Sequence, residues 1–246
     1  MDMISVNEAV VALGYFSLAF MTYYFSPHYS WIKKLAQRLG DAPGEPEIQV
    51  YLERLFGFLL LGLIPFICFP TIFEQPLSFY GINIPSADGI WLWWLIPLAL
   101  VIGITIFRPA RGVNIDFYPQ VRKKQWDRKR TFINSLSWVV YLAGYEFIFR
   151  GLLFFTCLSS FGLIPAIMIN CALYSISHIP KGAGEAFGAF FMGIIFCVIA
   201  WATGSILIPL VMHLIIALGN DLKAITNNPS MHFNLRINQQ SHESED

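Results

Sequence analysis

The chain has 246 residues, with 16 acidic and 16 basic side chains, so no net positive charge recommends a nucleic-acid partner. Only 13% of its residues are charged and 56% are hydrophobic, against roughly 25% charged in an ordinary soluble domain. Those proportions exclude a water-soluble globular domain and describe an integral membrane protein.

Apolar stretches fall at about 6–25, 50–73, 90–107, 131–158, 162–179, 185–203 and 205–225. Each approaches the ~20 residues that a helix needs to cross a bilayer. The expected fold is therefore an all-α, polytopic transmembrane helical bundle of about seven spans, with six to eight within the uncertainty of the boundaries. Met1-Asp2-Met3 has no basic n-region, so no cleavable signal peptide is expected. After the first stretch, Ser30-Trp31-Ile32-Lys33-Lys34-Leu35-Ala36-Gln37-Arg38-Leu39 mixes basic and apolar residues at helical spacing, as a helix lying on a membrane surface does. Pro65 and Pro70 in the second stretch and Pro97 in the third predict kinks, which neighbouring helices tolerate in a membrane. Cys68, Cys157, Cys171 and Cys197 lie in separate apolar stretches and read as small core residues, not as a disulfide framework.

Lys and Arg set the expected orientation. Arg108, Arg111, Arg122, Lys123, Lys124, Arg128, Lys129 and Arg130 crowd between the third and fourth stretches, while the segment 74–89 has neither residue. Positively charged connections stay in the cytoplasm, which puts the N-terminus outside and the C-terminus inside. Lys33, Lys34, Arg38, Arg54, Lys181, Lys223 and Arg236 fall on the same side. The basic loop, with Trp126 among its charges, suits anionic lipid headgroups, although ordinary topology already accounts for it. The organisation expected is N-terminal spans and basic loop over 1–130, a core over 131–225 and a polar, disordered tail over 226–246.

Chemistry concentrates in that core. Glu146 and Arg150 stand four apart inside the fourth apolar stretch, where each is costly unless it is paired or faces a polar cavity. Tyr174 and His178 share one face at the end of the fifth, and His213 lies in the seventh. A carboxylate and two imidazoles can activate a water and stabilise an oxyanion. Glu146, His178 and His213 also satisfy the donor chemistry of a two-His, one-carboxylate zinc site, and spacing does not choose between the two. No HExxH is present. Glu185 opens the sixth stretch beside Gly184, Gly188 and Ala189, where the helix dipole favours a carboxylate and small residues allow close approach.

Tyr145-Glu146-x-x-x-Arg150, Tyr174-x-x-x-His178 and His213-x-x-x-Ala217 together resemble the CPBP family, the CAAX-protease and bacteriocin-processing (Abi) intramembrane endopeptidases. That family carries Glu-Glu-x-x-x-Arg, Phe-x-x-x-His and His-x-x-x-Asn in the same order. The resemblance implies an intramembrane protease acting on a membrane-associated protein or peptide in a bilayer, in a bacterial inner or plasma membrane. Carried over residue by residue, it implies His178 and His213 as catalytic and Glu146 and Arg150 as supporting. With the chemistry of the residues added, the candidate catalytic set is Glu146, His178 and His213, with Tyr145, Arg150, Tyr174 and Asn220 in support. No cofactor is implied; zinc on the catalytic three is the alternative. Tyr145 stands in place of the family's first glutamate and Ala217 in place of its asparagine. Asn220 and Asp221 lie about 10–12 Å further along the helix axis than His213. The expectation is thus a protease with Glu146 as general base, His178 orienting water and His213 at the oxyanion. A catalytically degenerate scaffold or chaperone of the same family is the alternative, and a small-solute transporter a third class.

Overall fold

The computed structural model describes residues 7–42, 44–85, 91–109 and 112–233. The helices are α1 (Glu8–Tyr24), α2 (Ser30–Arg38), α3 (Ile48–Phe73), α4 (Trp91–Phe107), α5 (Arg128–Phe161), α6 (Leu163–Ile176), α7 (Ala183–Thr203) and α8 (Leu207–Asn227). All seven apolar stretches are helical. Five are long and apolar enough to cross a membrane, while Trp94–Phe107 and Leu163–Ile176 are shorter. Capping explains several boundaries. The Asp41 carboxylate accepts from the backbone N–H groups of Glu47, Ile48 and Gln49 at the start of α3, at 3.1, 2.8 and 2.7 Å. Asp127 does the same for Arg130 in α5, at 2.7 Å.

Among the described residues the chain passes seven times between two ends. One end, here the basic end, gathers the C-termini of α1, α4, α6 and α8 and the loop between α4 and α5. At the opposite end, the Tyr80 hydroxyl donates to Glu8 Oε1 at 2.5 Å and the Ser205 hydroxyl to Asn83 O at 2.6 Å. α5 is the central helix, in contact with α1, α3, α6, α7 and α8. Two of its features position everything else. Gly144 meets Gly62 of α3 so closely that a Cβ on Gly62 would lie 2.6 Å from Gly144 Cα. From Phe147 to Phe154 the helix widens into a π-helical stretch, a geometry frequent at functional sites. Asn170 Nδ2 of α6 donates to Phe149 O inside it, at 2.6 Å.

The kink expected at Pro65 takes the form of a second π-helical stretch, Leu59–Leu63, in which the Ile64 N–H bonds to Leu59 O. Proline has no N–H to offer the preceding turn, and the wider turn absorbs the mismatch. α2 packs against α3 with Ile32 and Ala36 buried, and leaves Trp31, Leu35 and Leu39 exposed. Three cysteines are buried as expected; Cys68 is exposed on α3, so its role is not that of a core residue. The tail also departs from expectation over its described part. α8 continues to Asn227, and His232–Phe233 pairs in parallel with Gln125–Trp126, whose Trp126 is fully buried. A large apolar ring there gives the polar segment something to fold against. Residues 234–246 and Arg236 lie outside the described residues.

α3, α5 and α8 are further joined by a buried polar cluster. Arg54 Nη1 donates to Asn134 Oδ1 at 2.9 Å and Ser137 Oγ at 2.6 Å, and Arg54 Nε and Nη2 donate to Gln120 Oε1. Asn134 Nδ2 and Trp138 Nε1 in turn donate to Asp221 Oδ2, at 2.9 and 2.6 Å. The Arg54 guanidinium also lies 4.0 Å from the centre of the Trp138 ring.

Candidate active site

Glu146, at the last α-helical position before the wide turn, is fully buried. Its Oε1 accepts from two sides: His213 Nδ1 at 2.5 Å and Arg150 Nη1 at 3.3 Å. A carboxylate only accepts, so Nδ1 of His213 carries a hydrogen, and in the neutral ring Nε2 keeps its lone pair. Arg150 is fully buried as well, and Glu146 is its one hydrogen-bond partner among the described residues. Aromatic faces surround the rest of it, with its guanidinium carbon 4.1 Å from the ring centre of Tyr174 and 4.9 Å from that of Phe196. Cation–π attraction in a dry site replaces hydrogen bonds there.

His178 follows the end of α6. Its Nδ1 lies 2.9 Å from Tyr174 O and 3.1 Å from Ser177 Oγ. The carbonyl accepts, so here too the hydrogen sits on Nδ1 and Nε2 is left with a lone pair. Tyr145 turns toward the histidines: its hydroxyl is 2.8 Å from Ser177 Oγ and its ring centre 5.6 Å from that of His213. Tyr174 stacks obliquely on His178 with ring centres 4.6 Å apart.

The structure thus gathers six of the seven residues singled out in the sequence, Tyr145, Glu146, Arg150, Tyr174, His178 and His213, into one connected cluster. Asn220 stands apart from it. It is 9% exposed and lines a cavity of about 580 Å³ into which His178 and His213 also face. The base expected at Glu146 is displaced, because the carboxylate sits behind His213 and lines none of the cavities that the histidines border. The alternative zinc set is not assembled either. Among the described residues no three His, Cys, Asp or Glu side chains are placed to share a metal ion. The donors explain this, since His213 turns Nδ1 to the carboxylate that would have to be its fellow ligand.

Residues 129–219 match the family model described as Type II CAAX prenyl endopeptidase Rce1-like. The matched stretch is similar to that family over 91 of the 246 residues, less than half of the chain. No curated protein and no solved structure matches it. The match takes in every helix that contributes to the histidine cluster, from α5 to the middle of α8. Within the matched stretch, two side chains that sequence reasoning passed over adjoin the histidines. Ser177 links Tyr145 to His178, and only its place beside His178 hinted at this. Lys181 reads as a topology marker, yet it borders both cavities that reach the histidines. Its ammonium donates to the Tyr118 hydroxyl at 3.3 Å, and burial pulls its pKa down from the usual lysine range.

Proposed function

We propose that the protein is an intramembrane endopeptidase that hydrolyses a peptide bond of a membrane-associated protein, with the basic end facing the cytoplasm. One observation carries this reading. Two imidazoles with Nδ1 committed border the same cavities, and one of them is backed by a buried carboxylate. That arrangement supports general-base chemistry at Nε2.

In this reading His213 is the base. Its Nε2 takes a proton from water as the oxygen attacks the scissile carbonyl. Glu146 holds the ring in the tautomer with hydrogen on Nδ1 and stabilises the imidazolium that forms, without itself taking the proton. His178 Nε2 accepts the second hydrogen of the water and fixes its direction. The Lys181 ammonium borders both cavities with the histidines, and it offsets the charge of the oxyanion. The proton on His213 then passes to the leaving amine. Arg150 and the aromatic rings around it fix Glu146, and Tyr145 with Ser177 fixes His178.

The test uses purified protein in liposomes with a membrane-anchored peptide substrate. Wild type should release product, and His213→Asn and Glu146→Gln should each lower turnover by about 10²–10⁴-fold, the range of general acid–base catalysis. A specific feature favours a second reading: Tyr145 occupies the position of the family's first glutamate. If wild type and His213→Asn release product equally slowly, a non-catalytic scaffold of this family takes the place of the protease.

A further inference from the structure

The histidine pair is approached from two directions. The larger cavity, about 580 Å³, lies between α4, α7 and α8. α4 packs along α8, with Thr105 seated over Gly219, and touches α7 at Val101, Phe196 and Ile199. Toward the basic end the two helices part, and a Cβ placed on Gly184 or Gly188 would meet nothing within 4 Å. The depth of this cavity is apolar, with Ile104, Met192 and Ile216 in its wall. It is the space suited to a substrate held in the membrane.

The smaller cavity, about 330 Å³, opens elsewhere. Its rim is formed by the exposed Tyr24 at the end of α1 and Pro27 and His28 after it, and Glu53 and Gln120 stand in its wall. Tyr145 and Ser177 form its inner part. Trp138, His178, Lys181 and His213 border both cavities and stand as the wall between them. Its polar groups say what fills it. Glu53, Gln120, Tyr145, Ser177 and Lys181 line it together with the two histidines, and Ser26, 1% exposed, lines it beside Pro27. Several polar groups around a cavity wider than one molecule give water its hydrogen-bond partners.

We infer that the smaller cavity is a water route from the basic end to the His178–His213 pair, separate from the cavity that takes substrate. At about 30 Å³ per molecule it holds roughly ten waters. Each hydrolysis consumes one water: its oxygen joins the acyl carbon, and its two hydrogens end on the new acid and the new amine. A peptide lying in the larger cavity excludes water from that side, so the nucleophile arrives from the other. The catalytic consequence rests on the protease reading; the existence of the route does not.

The test therefore has a readout independent of hydrolysis. In a Cys68→Ala background, which removes the exposed thiol, Ser177→Cys at the inner end is treated with a small charged methanethiosulfonate. Modification within about tenfold of the rate at His28→Cys is expected, as for a water-filled path. Adding Ser26→Trp should slow it at least about tenfold, while Gly188→Trp in the other cavity should not. If Ser26→Trp does not fold, Pro27→Trp at the exposed rim tests the same plug. An unreactive Ser177→Cys, or a rate indifferent to both plugs, overturns the route. On turnover, Ser26→Trp should lower kcat about tenfold or more with KM unchanged, and Ser26→Ala should preserve both. Equal losses for the Ala and Trp variants would make Ser26 structural and overturn the proposal. If no variant and no wild type hydrolyses peptide, the protease reading fails while thiol modification still decides the route.

Discussion

Two buried charge clusters tie α5 to α8, and they are built in opposite ways. In the cluster of Arg54, Asn134, Trp138 and Asp221, every guanidinium nitrogen of Arg54 has a hydrogen-bond partner, and the Asn134 amide relays the cation to the anion. In the cluster of Glu146, Arg150 and His213, the guanidinium makes a single hydrogen bond. Arg150 Nε, Arg150 Nη2 and Glu146 Oε2 are without partners among the described residues. A cluster whose cation is fully hydrogen-bonded holds helices in register, and among the described residues only its Asp221 Oδ1 lacks a partner. An unsaturated one sacrifices stability, and proteins keep such sites where reactivity is needed. Each cluster reaches the cavities through one ring, Trp138 in the first and His213 in the second, while Arg54 and Arg150 border neither.

That contrast breaks if the wrong cluster proves essential to turnover. His213→Asn should cost about 10²–10⁴-fold in turnover. The double variant Arg54→Leu, Asp221→Leu should stay within about tenfold of wild type, measured on the same anchored peptide. Stability should run the other way. Arg54→Leu alone leaves Asp221 buried without its cation and should destabilise by about 3–5 kcal/mol, read from thermal unfolding in detergent. Adding Asp221→Leu should restore at least about half of that loss, because removing both charges of a buried pair is often near neutral. A double variant as unstable as the single one would show that the cluster does more than neutralise itself.

Smaller effects sharpen the boundary of the site. Tyr145→Phe removes the hydroxyl bonded to Ser177 and should cost about 0.5–1.5 kcal/mol of stability, with turnover within about threefold of wild type. A hundredfold loss of turnover would instead put the phenol in contact with the reacting atoms. The smallest effect belongs to the exposed pair Lys123–Glu45, 3.0 Å apart, where Lys123 holds the Glu45 carboxyl below its usual range. A carboxyl lowered in the folded state adds stability above its unfolded pKa, and that stability disappears as pH falls through the folded one. Glu45→Gln should thus lower the melting temperature slightly at pH 7, and the difference from wild type should vanish in acid. Equal differences at both pH values would remove the ion pair as its cause.

The spans were readable because bilayer crossing demands length and continuous apolarity, and nothing local competes with that signal. Glu146, Arg150 and His213 were legible for the converse reason, as polar groups that such a run does not tolerate idly. Arg54 was not, because near the end of an apolar stretch an arginine looks like one more positive-inside residue. Only the packed position of Asn134 and Trp138 shows that it is 2% exposed. Asp221 was measured against the family's asparagine and found too far along α8; its real partners come from α5. The partner of Glu146 was hidden by the wide turn at Phe147–Phe154, which no residue type announces.

That turn also bears on how this chain is compared with its relatives. An ideal α-helix advances about 100° per residue, so a one-residue offset moves a motif position to another face. A π-helical stretch accommodates such an offset inside an unbroken helix. Tyr145 and Glu146 lie in the α-helical part just before that stretch and Arg150 lies inside it, so the wide turn separates the two ends of the motif. An insertion or deletion of one residue in this turn would rotate one end against the other without breaking the span. Ancestry in this region is better traced through spatial superposition than through columns of letters.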